Sequence, residues 1–422
     1  MRNIFDQYSQ PENKLTHSLV SCLYEEKYLL NSFLKNFCPD FFNLKSLIQI
    51  DEQSLPGNSI QKNYEYKDVG LPDAIFYNDE KCLIIESKVS SKLTKDQLIR
   101  HETTIQRRGF DEIKGIAIVV DLMPNIQLNS WKQLTWNQIY SWAYFESSKS
   151  NWAKKLLDYF KVLENNMVED EYLKEGSITE FTGVHFDISN PYSYREGKRQ
   201  LRLLINKIKT NQNLSSELNI DLEKKGRGGI KKVGNLWDYL TFKTSNENKN
   251  FTDEPHLTIG MSDTFIESDL TIPYRIKGKT KNNFYNLSWD DFRNIIYKIA
   301  LNYDKIFGQS NSFKPQIVMA QRRYPSQSSP AIHDARLEFD IRTAFDDIST
   351  KLKPTQKKQE EWLKLVYDLN NNKKSNLQFQ VGARFFFNND SLVNNKNADK
   401  ILCDSFLACK PLIDHLFDLK VK

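Results

Sequence analysis

Long hydrophobic runs are missing from this 422-residue chain; the longest are five residues, as in Ile116-Ala117-Ile118-Val119-Val120. A membrane-spanning helix needs roughly 20 apolar residues, so no membrane partner is expected. Residues 1–10 lack the apolar core of a secretory signal, and export is not expected either. Cysteine is scarce and odd in number, at positions 22, 38, 82, 403 and 409, with no Cys-x-x-Cys pair. That leaves no support for a disulfide framework or a zinc knuckle and predicts a reduced, cytoplasmic protein. The six histidines are scattered, and no Gly-x-Ser-x-Gly elbow accompanies them, so serine-hydrolase chemistry has no foothold.

What the chain does have is aromatic mass, with 26 Phe, 19 Tyr and 7 Trp. This is enough to build real cores and argues against global disorder. The length exceeds what one core usually serves, so two domains are expected. Charge is unevenly divided. Residues 1–150 carry 17 Lys+Arg and 19 Asp+Glu, whereas the rest carries 42 and 35. The second half is the better candidate to hold a polyanion.

Periodicity predicts a helix over 9–37, with Ser9 as N-cap and Pro11 in the first turn. Three short strands follow at 61–67, 69–77 and 82–89, then a helix over 94–108 and a buried strand over 114–120. Helices are expected after Thr135 and over 152–163. This order predicts one compact α/β domain over 1–165. An acidic, aperiodic stretch at 164–177 reads as a linker, and 178–422 as an α+β domain. Within the latter, the pattern predicts an amphipathic basic helix over 194–208 and a hairpin of 256–262 with 265–272. A helix begins at Ser288, where Ser288 and Asp291 are placed for a capping box. Its apolar stripe is Phe292, Ile295, Ile296, Ile299 and Ile306. Strands are expected at 316–321, 335–343 and 378–387, and a last helix over 398–417. No internal repeat of fixed period is present.

The chemically informative segment is Gly70-Leu71-Pro72-Asp73-Ala74-Ile75-Phe76-Tyr77, the turn Asn78-Asp79-Glu80-Lys81, and Cys82-Leu83-Ile84-Ile85-Glu86-Ser87-Lys88. Two apolar strands around a polar connector predict a hairpin. Pairing Tyr77 with Cys82, or Asn78 with Lys81, sets Asp73 opposite Glu86. Opposed like charges destabilise a strand pair, so two carboxylates among Leu, Ile and Phe call for a shared proton or a divalent cation. Lys88, two residues after Glu86, projects from the same face. Carboxylate and water ligands suit Mg²⁺ better than Zn²⁺, and the chemistry that fits is metal-assisted attack of water on a phosphodiester.

Pro72-Asp73 followed by Glu86-Ser87-Lys88 in apolar strands resembles the PD-(D/E)XK nuclease superfamily. The similarity spans about residues 5–165, with Glu12-Asn13-Lys14-Leu15-Thr16 resembling its first-helix motif and Gln97 on the helix after the motif strand. The resemblance implies a restriction-endonuclease-like mixed sheet flanked by helices. It further implies Mg²⁺, with Mn²⁺ as substitute, held by Asp73, Glu86 and the Ser87 carbonyl. Lys88 is then the catalytic lysine, Glu12 an accessory acid at the metal, and Gln97 a member of the site. Function follows as nucleic-acid hydrolysis, DNA favoured over RNA, in restriction or anti-phage defence. A homodimer would serve two-strand cleavage, and the C-terminal domain would recognise substrate or an activating partner.

Blander readings stand beside these. Ser9 and Glu12 can form a capping box, Gln97 can be a solvated helix residue, and Asp73 and Glu86 can be solvent-facing strand residues. The whole domain can be an inert nucleic-acid-binding or sensing module. In the second half, Lys224, Lys225, Arg227, Lys231 and Lys232 surround three glycines and are candidates to clamp phosphates, as are Arg322 and Arg323. Trp237, Tyr239 and Phe242 can stack bases or fill a core. A mobile solvated loop is the alternative for the cations.

Overall fold

The computed structural model describes residues 5–39, 41–43, 47–56, 71–184, 186, 191–224, 226, 236–243, 252–308, 310–323, 325, 332–349, 359–371, 377–387 and 390–419. The chain divides into two compact units, Met1–Glu180 and Phe181–Lys422. The expected strand at 61–67 and the cations Lys225, Arg227, Lys231 and Lys232 lie outside the described residues.

In the N-terminal unit the elements are α1 (Pro11–Glu25), α2 (Lys27–Phe37), β1 (Gln49–Glu52), β2 (Ala74–Tyr77) and β3 (Lys81–Ser87). They continue with α3 (Lys95–Gln106), β4 (Glu112–Val119), β5 (Trp131–Thr135), α4 (Trp136–Glu146) and α5 (Asn151–Glu169). The five strands form one sheet in chain order. Pairs β1–β2 and β2–β3 are antiparallel, and β3–β4 and β4–β5 are parallel. The fold class is therefore a mixed α/β sheet flanked by helices. Central β3 and β4 read as unbroken apolar runs because both their faces are covered. On one side, Leu15, Leu19, Leu23 of α1 and Leu156, Phe160 of α5 pack with Phe76, Leu83, Ile85, Ile116 and Ile118. On the other, Ile75, Cys82 and Ile84 pack with Ile105 of α3, and Leu98 of α3 packs with Ala117 and Val119.

Three expectations change here. The single helix over 9–37 is two helices broken at Glu26, an extended residue (φ −129°, ψ 102°). Its carboxylate accepts from Ser150 Oγ, which ties the break to the start of α5. The N-cap of α1 is Gln10, with no side-chain cap bond, so the Ser9–Glu12 capping box does not form. The stretch read as a linker begins inside α5. Buried Glu164 accepts from Ile178 N at 2.7 Å, Thr179 N at 3.0 Å and Thr179 Oγ1 at 2.5 Å, which fastens the following chain to the N-terminal unit. Acidity suggested solvent, but this carboxylate serves as a backbone acceptor.

The C-terminal unit runs α6 (Tyr194–Ile208), α7 (Gln212–Leu218), β6 (Ile220–Asp221), β7 (Leu236–Phe242), β8 (His256–Met261), β9 (Phe265–Ile272), α8 (Gly278–Tyr285) and α9 (Trp289–Phe307). It continues with β10 (Phe313–Arg323), β11 (Ile332–Asp340), α10 (Asp346–Ser349), α11 (Glu360–Asn371), β12 (Leu377–Phe386), α12 (Ala398–Ala408) and α13 (Lys410–Phe417). Its seven strands form an antiparallel sheet in the order β11-β10-β12-β9-β8-β7-β6. The expected hairpin is β8–β9, with Met261 opposite Ile266. The stripe on α9 ends at buried Tyr303 rather than Ile306, which is 42% exposed. Position 303 follows Ile299 by four residues, and 306 has rotated out of the face. Asp291 in the expected capping box accepts from Ser288 Oγ at 2.6 Å, while its own N–H donates to that hydroxyl at 3.1 Å. The strand expected over 335–343 stops at Asp340, where a 3₁₀ turn over 341–344 begins under an Asp340 cap. The last helix breaks at Cys409, one residue before α13 with Pro411 in its first turn. All five cysteines are buried free thiols.

Candidate active site

The site sits where β2 begins and β3 ends. The hairpin register matches the expectation, with Ala74 opposite Ile85, Ile75 opposite Ile84 and Tyr77 opposite Cys82. Asn78 N donates to Lys81 O at 3.1 Å and closes the turn. Extending the pairing by one residue places Asp73 across from Glu86.

The two carboxylates are held differently. Asp73 Oδ2 accepts from Ser87 N at 2.7 Å and Ser87 Oγ at 2.9 Å. Burial and the charge of Glu86 raise its pKa to about 6, against the pull of the Ser87 bonds and Lys88. Glu86 is 1% exposed. Its Oε1 accepts from Lys88 Nζ and from Gln97 Nε2, both at 2.6 Å. Its Oε2 is buried with no hydrogen-bond partner. Lys88 is half-buried, and burial alone would lower its pKa. Glu86, followed by Asp73 and Glu12, outweighs that and raises it, so the side chain is a charged ammonium.

Helix α3 supplies the far wall. Thr94 caps it by accepting from Gln97 N, and this aims the first turn at the end of β3. Gln97 and His101 are four apart and share a face. His101 is buried, and its Nε2 lies 3.2 Å from Glu86 Oε2, off the line a hydrogen bond needs. His101 was missed in the sequence, where its only signal is the four-residue spacing from Gln97. Gln97 is not a solvated residue, and Asp73 and Glu86 are not solvent-facing.

Helix α1 forms the opposite wall. Glu12 Oε1 accepts from the backbone N–H groups of Val89 at 2.9 Å, Ser90 at 3.0 Å and Ser91 at 3.0 Å, and from Ser91 Oγ at 2.9 Å. Burial raises its pKa, but these bonds outweigh it and the net shift is downward. Glu12 thus fastens the loop leaving β3. One turn on, Thr16 Oγ1 meets Ser87 Oγ at 2.5 Å, linking α1 to the Ser87 that holds Asp73. His17 Nδ1 lies 2.7 Å from Glu52 Oε2, and Tyr8 packs edge-on against His17. Burial, Glu52 and Asp73 raise the Tyr8 pKa. This Tyr8–His17–Glu52 group carries no sequence signal, because only packing brings β1 against α1.

A divalent cation fits this donor set by the chemistry of its oxygens. Two mutually repelling carboxylates, Glu86 buried with one oxygen that accepts no hydrogen bond and Asp73 partly buried, form the anionic centre that a cation neutralises. No group of three or more His, Cys, Asp or Glu is arranged to hold a metal among the described residues. Mg²⁺ keeps several waters and needs only one or two carboxylates.

The candidate cations of the C-terminal unit are elsewhere. Lys224 is exposed. Arg323 Nε is paired with Asp334 Oδ1 at 3.0 Å on the surface. Arg322 lies on β10 with Nη2 3.5 Å from Gln380 Oε1. Phe242 is buried in the core.

Residues 2–161 match the family model of the PD-(D/E)XK nuclease superfamily. The matched span contains Glu12, Asp73, Glu86, Ser87, Lys88, Gln97 and His101. No curated protein matches the chain.

Proposed function

We propose that the N-terminal unit is a nuclease that hydrolyses phosphodiester bonds with the help of Mg²⁺ or Mn²⁺, DNA being the favoured substrate. The observation that carries this is the convergence of Asp73, Glu86 and Lys88, with a buried Glu86 oxygen that accepts no hydrogen bond. Asp73, Glu86 and the Ser87 carbonyl would hold the cation, which supplies Lewis-acid polarisation of the scissile phosphate and neutralises its developing charge. Ser87 holds Asp73 through its N–H and hydroxyl, and Thr16 holds Ser87, so the Asp73 carboxylate is oriented from one helix and a strand. Gln97 fixes one Glu86 oxygen and leaves the other available. The Lys88 ammonium is placed to orient a water and to stabilise negative charge on the phosphoryl oxygens. Glu12 serves the site by holding the loop after Lys88 rather than by ligation. The C-terminal unit would recognise substrate or a trigger, and restriction or anti-phage defence is the biological setting that accords with a nuclease carrying a large second unit.

The experiment is incubation of the purified protein with plasmid, linear DNA and RNA, with Mg²⁺ or with EDTA. Cleavage that needs Mg²⁺ and disappears in Glu86→Ala and Lys88→Ala supports the reading. Cleavage unchanged in both variants overturns it. Salt-sensitive binding without cleavage in any divalent ion selects the inert binding module instead.

A further inference from the structure

The charge of the N-terminal half is not spread evenly. Residues 1–150 carry 17 Lys+Arg and 19 Asp+Glu, yet residues 88–108 alone carry six Lys+Arg against Asp96 and Glu102. The remaining residues of that half carry 11 and 17, so the half-chain total conceals the basic segment. It begins where β3 ends and runs through α3, and therefore leads directly away from the site.

Lys92, Lys95, Arg100 and Arg107 are exposed, and among the described residues none of them forms an ion pair or a side-chain hydrogen bond. Of the two nearby acids, Asp96 faces solvent and Glu102 accepts from Ser130 Oγ at 2.9 Å. Gln97, Arg100, Thr104 and Arg107 follow one another at spacings of three, four and three, which makes one stripe along α3. The stripe starts at the side chain that donates to Glu86 Oε1 at 2.6 Å. Its two arginines are about 10 Å apart along the axis, roughly three steps of a nucleic-acid strand at about 3.4 Å each. The backbone under Lys92 and Lys95 is held on both sides, by Glu12 at Val89, Ser90 and Ser91 and by the Thr94 cap at Gln97. Lys95 occupies the first position of α3, where the helix dipole disfavours a cation. Helix stability therefore does not account for a lysine there.

Resting on the nuclease reading of this unit, we propose that α3 and the loop before it form the phosphate-binding surface that holds the substrate strand beside the scissile bond. Arg100 and Arg107 take successive phosphates along the helix, and Lys92 and Lys95 take the backbone next to Lys88. Three carboxylates, Glu12, Asp73 and Glu86, face this region and repel a polyanion. Exposed, unpaired cations around them supply the attractive field that brings it in. Because the loop is already fixed, little conformational freedom is lost when the strand docks. Contacts of this kind position the strand without reading its bases.

The test is filter binding of a labelled duplex to the full chain carrying Lys88→Ala, from 50 to 300 mM salt, together with cleavage kinetics of the parent in Mg²⁺. Lys92→Gln/Lys95→Gln and Arg100→Gln/Arg107→Gln should each flatten the slope of log K against log[salt] by roughly 1.4–1.8 units. With Lys88 intact, each pair should raise KM for cleavage more than it lowers kcat. Lys35→Gln/Lys154→Gln, which removes two exposed cations from α2 and α5, should change the slope by less than one unit. Parental slopes in both α3-side variants of a protein that still cleaves in Mg²⁺ would overturn the surface and leave the nuclease reading standing. Equal flattening in the α2/α5 control would overturn it too, by reducing the effect to overall charge. The expected flattening without cleavage in any divalent ion would keep the surface and remove the nuclease reading. A parent that neither binds nor cleaves nucleic acid would overturn both.

Discussion

His101 Nε2 stands 3.2 Å from Glu86 Oε2, the carboxylate oxygen that no hydrogen bond satisfies. The two side chains are 3% and 1% exposed. Gln97, one turn earlier on the same helix, holds the other Glu86 oxygen. Helix α3 therefore grips the carboxylate at both ends, firmly at Oε1 and loosely at Oε2. That asymmetry leaves Oε2 the less constrained of the two oxygens.

The roles of Gln97 and His101 can be separated by substitution. Outer partners of metal-ligating groups typically change metal affinity or activity by about 10–100-fold. Gln97→Ala should reduce Mn²⁺ affinity in that range, read by titration calorimetry, with unchanged circular dichroism. His101→Gln should have a smaller effect on affinity and a larger one on turnover. A His101 that only fills space would be rescued fully by His101→Phe, and equal activity of that variant would remove it from the site.

Asp73 makes a pH-dependent prediction whose sign follows from its raised pKa. A carboxylic acid with a folded pKa of about 6 and an unfolded value of 3.8 binds its proton more tightly in the folded state. Ionisation therefore lowers stability as pH rises from about 4 to about 6, and the full penalty persists above that. It is bounded by roughly 3 kcal/mol, at about 1.4 kcal/mol per pKa unit. Asp73→Asn should unfold at a higher temperature than the parent at pH 7.5, with the difference shrinking toward zero at pH 4. Thermal melts in EDTA across that range would show it. A constant offset at all pH values would contradict the repulsion between Asp73 and Glu86. Adding Ca²⁺ at pH 7.5 should stabilise the parent and leave the variant largely unmoved.

Glu12 is expected to behave as a structural acid. Its pKa is lowered by the Ser91, Val89 and Ser90 bonds despite burial, so its contribution is present above the unfolded pKa and is lost as pH falls through the folded one. Removing a carboxylate that accepts three backbone N–H groups should cost about 2–3 kcal/mol. Glu12→Ala should lower Tm at pH 7 and speed hydrogen exchange at Val89, Ser90 and Ser91. Mn²⁺ affinity should change little. A loss of metal affinity without faster exchange would return Glu12 to the metal's own ligands.

These contrasts show what the chain made legible. The register of β2 on β3, and hence the proximity of Asp73, Glu86 and Lys88, followed from alternation and a short turn, both local. His101 and the Tyr8–His17–Glu52 group were not legible, because their partners lie on elements brought together only by packing. From the sequence, Glu12 reads as an acid near a metal or as a cap. Its actual partners, three consecutive amides beyond β3, carry no side-chain signature.

The cations of the C-terminal unit yield the last prediction, which concerns nucleic-acid binding rather than chemistry. Each phosphate neutralised contributes about −0.7 to −0.9 to the slope of log K against log[salt]. If Lys224, Lys225, Arg227, Lys231 and Lys232 meet phosphates, replacing all five by Gln should flatten that slope by roughly 3.5–4.5 units. Arg323→Ala should change it by less than one, because its guanidinium is engaged with Asp334. Arg322→Ala should also move the slope little, since this arginine lies beside Gln380 on the sheet. Filter binding of a labelled duplex to a cleavage-deficient Lys88→Ala protein, from 50 to 300 mM salt, would measure all three. An unaltered slope in the five-fold variant would retire the basic loop as a phosphate clamp, and a steeper dependence on Arg322 or Arg323 would move the contact to the β10 end of the sheet.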